Sequence, residues 1–393
     1  MMENRNGHPL NPRIKRMKCL KCGKEYPVGD YFYGCPACFK EGENASLTFV
    51  YEGDAMIQVK EKGMKRYGQF LPYSDTVTLG EGQTPLLHLA ALAEELGIAG
   101  FYTKNEFQNP TGSHKDRMNP FITARAKEAG YKTVTCASSG NEAASLAAYA
   151  AAEGLRCVNV STEDIPFVWK NASDASGAKM VLTKTSADRL SYQREHMNEG
   201  WYCATNLLDI PTGSSPFGIQ GYKTLAFELY EQMEGALPDC VLIPTCRGDL
   251  LYGVYEGFHD LLLQGLISRM PRLAACEPFP RLELILRQGR DHREKFAGDS
   301  SKMDSIGGGT ATWQSVYALK GTDGFAISPV GMEAEEAMLA MGRHGLFLES
   351  SSAVVYPCVK RALELGYLRP EQTVLAVLTS NGYKSELRLK TDQ

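Results

Sequence analysis

Lys132-Thr133-Val134-Thr135-Cys136, then Ala137-Ser138-Ser139-Gly140-Asn141, then the run Ala143 to Glu153, is the stretch on which the fold turns. Its first five residues, rich in β-branched and apolar types, read as a short buried strand. Ser138-Ser139-Gly140-Asn141 reads as a turn, and the alanine-rich run has high helix propensity. The same succession recurs as strand Cys240–Pro244, loop Thr245–Asp249 and helix Leu250–Leu263. Near the C-terminus, strand Val374–Leu378 leads into Thr379-Ser380-Asn381-Gly382. Alternating strands and helices predict an α/β protein with mainly parallel sheets. Ligands in such folds sit at the carboxyl ends of strands, where these three loops fall.

The chain has 393 residues and is 43% apolar and 22% charged, as an ordinary globular protein is. That length predicts two or three units. A net charge of −4 offers no broad basic field for nucleic acid. The cations between Arg13 and Lys18 read as a solvated entry strand. Met1 to Asn11 is polar, which argues against a signal peptide. No apolar run reaches the roughly 18 residues of a membrane span. Asp291 to Lys302 is polar and reads as a surface loop or helix.

Eleven cysteines divide into two groups. Seven are scattered singly through apolar segments, as small buried hydrophobes in a reducing cytosol would be. Four form two knuckles, Cys19-Leu20-Lys21-Cys22 and Cys35-Pro36-Ala37-Cys38. Four thiolates so spaced fit one tetrahedral Zn²⁺, and a site filled by protein ligands is structural. Tyr26, Tyr31, Phe32 and Tyr33, with Gly29 and Gly34 as turns, read as the strands of a zinc ribbon. The bland reading is four unliganded thiols.

Chemistry falls on the strand-end loops. Ser138–Asn141 and Thr245–Asp249 each open a helix, whose free N–H groups and dipole favour an anion. Lys115, in Gly112-Ser113-His114-Lys115-Asp116-Arg117, taken alone could be a surface lysine at a helix start. A lysine, two anion-accepting helix starts and a hydroxyl loop together suit a phosphorylated aldehyde cofactor and a substrate bearing a carboxylate.

Several ordered motifs carry a resemblance. They are Leu79-Gly80-Glu81-Gly82-Gln83-Thr84-Pro85-Leu86; Lys104-Asn105-Glu106 with Asn109 to Arg117; Ala137-Ser138-Ser139-Gly140-Asn141; Gly221-Tyr222-Lys223-Thr224; and Thr379-Ser380-Asn381-Gly382-Tyr383-Lys384. Over roughly residues 70 to 385 the chain resembles threonine synthase and its relatives among the fold-type II, tryptophan synthase β-like, pyridoxal-phosphate enzymes. The resemblance implies two open, parallel-type sheets with flanking helices, plus the N-terminal ribbon. It implies a ribbon segment over 1–48, a large cofactor domain over 49–131 and 222–393, and a smaller α/β domain over 132–221. Lys115 is then the catalytic residue, linked covalently to the cofactor and acting as the base for the α-proton. Asn141 bonds the cofactor's ring oxygen, and Thr379 faces its pyridine nitrogen. Thr245, Cys246, Arg247, Gly248 and Asp249 form the phosphate loop. Ser138, Ser139 and Gly140 receive the substrate carboxylate at the helix start. A homodimer, a cytoplasmic location and a small amino-acid substrate follow from the same resemblance.

The departures cluster where a substrate phosphate would bind. Glu142 stands where threonine synthases carry threonine, and its carboxylate would repel phosphohomoserine. Ser139-Gly140-Asn141-Glu142 also fits a capping box, in which Glu142 serves only the helix. Gly218 stands where the family has a phosphate-binding arginine, and Thr212 where it has asparagine. Arg247 could neutralise the cofactor phosphate or reach an anionic substrate. Asp249 reads as an N-cap. His114 could contact the cofactor phosphate or pack beside the ring. Glu349 to Ala353 lines the site. These features favour a lyase or synthase that eliminates or replaces a β or γ substituent on a substrate other than O-phosphohomoserine. A genuine threonine synthase is the first alternative. A non-catalytic adaptor with a degenerate enzyme body is the second.

Overall fold

The computed structural model describes residues 8–138, 140–329 and 333–385. Ser139, an expected substrate contact, lies outside the described residues. The chain divides into two compact units, one of Met1–Gln83 and Lys115–Thr224, the other of Thr84–His114 and Leu225–Gln393.

The first unit holds a four-stranded parallel sheet in the order Lys179–Thr183, Arg156–Thr162, Thr133–Ala137, Trp201–Cys203. Its central strand is buried from Thr133 to Cys136, as a parallel strand covered on both faces should be. The helix after it runs Asn141–Glu153 and buries Ala143, Leu146, Ala147, Tyr149 and Ala150. It therefore starts two residues before the alanine run. The short helix Pro216–Ile219 meets the helix Asn119–Glu128 at Gly218. A Cβ on Gly218 would lie 2.6 Å from both Ile122 Cγ1 and Met118 Cγ. The glycine is thus closely packed, and an arginine there would require the Ile122 and Met118 side chains to shift.

The ribbon is a three-stranded antiparallel sheet, Glu25–Tyr26, Ile14–Cys19, Leu47–Tyr51. The basic segment is a strand, with Lys15 and Lys18 exposed and Ile14, Met17 and Cys19 buried, its register shifting between Ile14 and Arg16. The aromatics beyond Tyr26 are not in strands; Tyr31 to Tyr33 lie in a turn region. Phe32 instead packs edge-on against Tyr202 at 5.2 Å. Arg125 grips Asp30 through both nitrogens at 2.9 Å. Asn44 and Ser46 donate to the carbonyls of Ile210 and Thr212.

The second unit holds a six-stranded sheet in the order Phe325–Ile327, Arg272–Cys276, Cys240–Pro244, Thr373–Val377, Gly100–Lys104, Leu86–His88. Only the edge strand Leu86–His88 is antiparallel to its neighbour. Cys240–Pro244 matches the sequence expectation residue for residue, because its apolar run is bounded by Asp239 and Thr245. The helix after it runs Asp249–Leu263. Residues 291–302 form turns and irregular chain. No helix among the described residues is long and apolar enough to cross a membrane.

Candidate active site and metal centre

The four knuckle cysteines converge. Cys19 and Cys38 lie 3.7 Å apart at their sulfurs, as do Cys22 and Cys35, and all four sulfurs fall within 4.8 Å of one another. A Zn–S bond of about 2.3 Å implies a tetrahedral edge of about 3.8 Å. The donor set therefore fits a four-thiolate metal ion. The N–H groups of Lys21 and Cys22 point at Cys19 Sγ, at 3.4 and 3.5 Å. Burial pushes the Cys35 thiol up, but hydrogen bonds from the Cys38 backbone, Tyr26 and neighbouring thiols outweigh it and hold it down at about 7. The remaining seven cysteines are likewise free thiols.

In the first unit, Lys115 lies in the one-turn 3₁₀ segment His114–Arg117. Its side chain keeps 21% of its surface exposed, and its Nζ lies 3.8 Å from Glu142 Oε2. Asp116 and Arg117 beside it are fully buried and fix the segment. Asp116 accepts from Ser145 Oγ at 2.6 Å, and Arg117 donates to Thr224 at 2.8 Å. Behind them Gly221 approaches so closely that a Cβ would sit 1.9 Å from Arg117 O. This explains the glycine that opens the Gly221–Thr224 motif.

Gly140 is the N-cap of the helix Asn141–Glu153, without a side-chain cap bond. Glu142 is therefore at the second helical position, not the third that a capping box needs. Its side chain is 6% exposed and faces Lys115. Asn141 is buried at the first helical position, and half-buried Ser138 accepts from Gly140 N at 3.3 Å.

In the second unit, His114 donates its backbone N–H to Thr379 O at 3.0 Å, with its ring Nδ1 3.4 Å from the same oxygen. Thr379 is buried, and its own N–H bonds Ser352 Oγ at 2.9 Å, which ties the Glu349–Ala353 segment to this strand end. The Thr379 hydroxyl has no partner among the described residues.

The loop Thr245–Asp249 is shaped by its neighbours. The Arg247 carbonyl accepts from Thr312 Oγ1 at 2.6 Å, Gln314 Nε2 at 3.1 Å and Ser315 Oγ at 3.3 Å. Gly248 has φ of +73°, and a Cβ on it would lie 1.9 Å from Ser315 Oγ, so only glycine fits. Gly248, not Asp249, is the N-cap; Asp249 is the first helical residue and accepts from Gln314 at 2.6 Å. The backbone N–H groups of Cys246, Arg247 and Gly248 donate to no described residue, and the half-buried Arg247 guanidinium has no described partner. Three open donors at the head of a 15-residue helix, beside a cation, form an anion cradle. The Thr245 hydroxyl turns back to Ile243 O at 2.7 Å, and Cys246 Sγ lies 2.6 Å from Gly307 O.

Sequence reasoning missed the residue that braces this loop. Arg281 is fully buried and donates to Thr245 O at 2.9 Å, Gly308 O at 2.6 Å and Glu277 Oε1 at 3.1 Å. A Glu–Arg pair four apart looks like an ordinary exposed helix pair, so nothing in the sequence separates it from one.

With this geometry in place, comparison with known proteins is decisive. The sequence pattern of the family described as "Pyridoxal-phosphate dependent enzyme" matches residues 77–380. The chain belongs to this family. It is a pyridoxal-phosphate dependent enzyme of fold type II, in the tryptophan synthase β/threonine synthase superfamily, with a candidate four-cysteine metal cluster. It is 30% identical over 383 residues to the threonine synthase of Methanocaldococcus jannaschii, covering 93% of this chain and 92% of that one. It is 26% identical to the threonine synthase of Methanosarcina acetivorans, covering 93% and 91%. Among solved structures, threonine deaminase isoform 2 from Solanum lycopersicum superposes with TM-score 0.64 at 22% identity, covering 76% of this chain and 79% of that one. The diaminopropionate ammonia lyase of Escherichia coli gives 0.65 at 18%, covering 78% and 86%. At those identities the structures speak for the fold alone. Each unit by itself carries chemistry that fits the cofactor: a half-buried amine in the first, an anion cradle and a strand-end hydroxyl in the second. Membership of this family sets the adaptor reading aside.

Proposed function

We propose that this enzyme eliminates or replaces a β or γ substituent of a small amino acid, and that its substrate is not O-phosphohomoserine. The observation that carries the reading is the buried Glu142 carboxylate 3.8 Å from Lys115 Nζ. A fixed negative charge beside the base disfavours a phosphorylated substrate. Gly218 supports it, since it offers no guanidinium and is closely packed by Ile122 and Met118.

When bound, the cofactor supplies the electron sink that makes an amino acid's α-proton removable. Lys115 anchors it and takes that proton. Asn141 and Thr379 hold its ring, and His114 with Thr245 to Asp249, chiefly the open N–H groups and Arg247, holds its phosphate. Ser138, Ser139 and Gly140 receive the substrate carboxylate at the helix start. Cys19, Cys22, Cys35 and Cys38 hold a structural Zn²⁺. A homodimer in the cytoplasm, and the domain division 1–48, 49–131 with 222–393, and 132–221, complete the proposal.

Purified protein should absorb in the visible, and borohydride should fix the cofactor to Lys115. A colourless protein that takes up no cofactor would end the reading. A second reading, threonine formation from O-phosphohomoserine, is favoured by the 30% identity to a threonine synthase along nearly the whole chain. Stoichiometric release of phosphate and threonine from that substrate would establish it.

A further inference from the structure

The carboxylate beside Lys115 does more than repel phosphate. Lys115, Asn119, Cys136 and Cys157, all in the first unit, lie around it. Lys115 Nζ lies 3.8 Å from Oε2. One end of the Asn119 amide, from the helix Asn119–Glu128, lies 3.1 Å from Oε1 and donates to it when its nitrogen faces the carboxylate. The buried thiols of Cys136 and Cys157 lie near enough that, after burial itself, the Glu142 charge is what pushes them up. Lys115 is placed to exchange a proton with Glu142.

We propose that Glu142 and Lys115 act as one proton-handling pair on a free β-hydroxy amino acid, Lys115 taking the α-proton and Glu142 delivering a proton to the departing hydroxyl oxygen. This rests on the elimination reading of the same site. The Cα–H bond breaks, its proton going to Nζ and its electron pair forming the Cα–Cβ double bond. The Cβ–O bond breaks with its pair on oxygen. The Lys115 ammonium passes its proton to the Glu142 carboxylate, which delivers it to that oxygen, so the proton lost by Cα leaves in water and both groups end as they began. Nothing is oxidised or reduced. A movement of about 1 Å in the flexible lysine closes the 3.8 Å gap to hydrogen-bond distance. Hydroxide leaves poorly unless protonated, which gives the carboxyl its task. A phosphate ester needs no such proton and would bring a charge of about −1.5 to −2 towards Glu142.

The test compares wild type, Glu142→Gln and Glu142→Asp. Wild type should form keto acid from L-serine or L-threonine at least about tenfold faster than from their O-phospho forms. Glu142→Gln should lose keto-acid formation by about 10²–10⁴-fold, the usual contribution of a general acid, while α-deuterium exchange in D₂O falls by less than about tenfold. Glu142→Asp should recover part of the loss. In the cofactor-free protein, the rate at which an amine-directed reagent acylates Lys115 at one fixed pH should change by at least about twofold in Glu142→Gln, because the carboxylate 3.8 Å from Nζ is removed. Keto acid forming faster from O-phosphoserine or 2,3-diaminopropionate than from serine overturns the proposal. So does a parallel fall of exchange and product in Glu142→Gln, or an unchanged acylation rate. If the wild type exchanges the α-proton of other amino acids but not of serine or threonine, this inference fails alone. If it binds no cofactor and exchanges with nothing, the elimination reading fails with it.

Discussion

Lys104 and Lys115 both sit in sequence motifs of this family, and both face a buried carboxylate, yet the two sites are built oppositely. Lys104 is fully buried, and its three protons meet three oxygens, Thr84 O at 2.6 Å, Glu228 at 2.7 Å and Gln232 at 2.8 Å. An ammonium held at hydrogen-bond distance on every side is locked in its charged form and cannot act as a nucleophile. Lys115 meets Glu142 at 3.8 Å, beyond that distance, and keeps a fifth of its side chain exposed. A saturated pair fixes structure, whereas a loose one leaves room for a proton and a substrate.

The comparison breaks most severely if Lys115 is not the reactive amine. Lys115→Ala should abolish borohydride-fixed cofactor and lower turnover by at least the roughly 10²–10⁴-fold of a lost base, with the thermal midpoint nearly unchanged. Lys104→Met should do the reverse. Removing one partner of a buried pair costs about 3–5 kcal/mol, measurable by denaturant unfolding, while Lys104→Met with Glu228→Leu should recover much of it. If Lys104→Met instead spares stability and removes covalent cofactor, the assignments are inverted.

Metal content extends the contrast to the thiols. About one Zn²⁺ per chain is expected, and Cys19→Ser should lose it and destabilise the protein. Retention of full metal by that variant would count against a four-sulfur centre.

The smallest effect lies at the surface, where Glu153 draws in His8 at 3.0 Å and Lys127 at 2.8 Å. The Glu153 hydrogen bond raises His8 above its ordinary 6.5. Burial pushes Glu153 up, but its bonds to His8 and Lys127 outweigh it and hold the group below its ordinary 4.5. The histidine's contribution is complete below 6.5 and fades as pH rises past its raised folded value. The carboxylate's contribution is complete above 4.5 and fades as pH falls past its lowered folded value. The stability difference between wild type and His8→Ala should therefore be greatest between pH 4.5 and 6.5. A thermal-midpoint difference that is flat with pH would remove this pair from the ranking.

Much of this architecture was legible because the signals were local. Cys240 to Pro244 announces a buried strand by its own apolar run, and two knuckles announce a four-sulfur centre by spacing alone. Helix starts were less legible. Whether Ser139 or Gly140 caps the helix, or Gly248 or Asp249, depends on backbone angles that the sequence states only loosely. The braces were not legible at all. Arg281 reaches back 36 residues to Thr245, and Lys104 reaches 124 residues forward to Glu228. Pairings across such separations are products of the folded chain. Gly218 lay between the two: the missing arginine could be read from the motif, but the close packing of Ile122 and Met118 on the glycine could not.

The ribbon's aromatic seams bear on how the molecule tolerates truncation. Phe49 stacks edge-on with Phe217 at 4.8 Å, Phe32 with Tyr202 at 5.2 Å, and Arg125 lies 4.6 Å above the Phe217 ring. A chain shortened to begin after Tyr51 would strip the lid from Phe217 and Tyr202 and leave Arg125 without Asp30. Residues 8–51 are thus an outer wall of the first unit, and a trimmed enzyme should clump before it reveals whether the metal mattered.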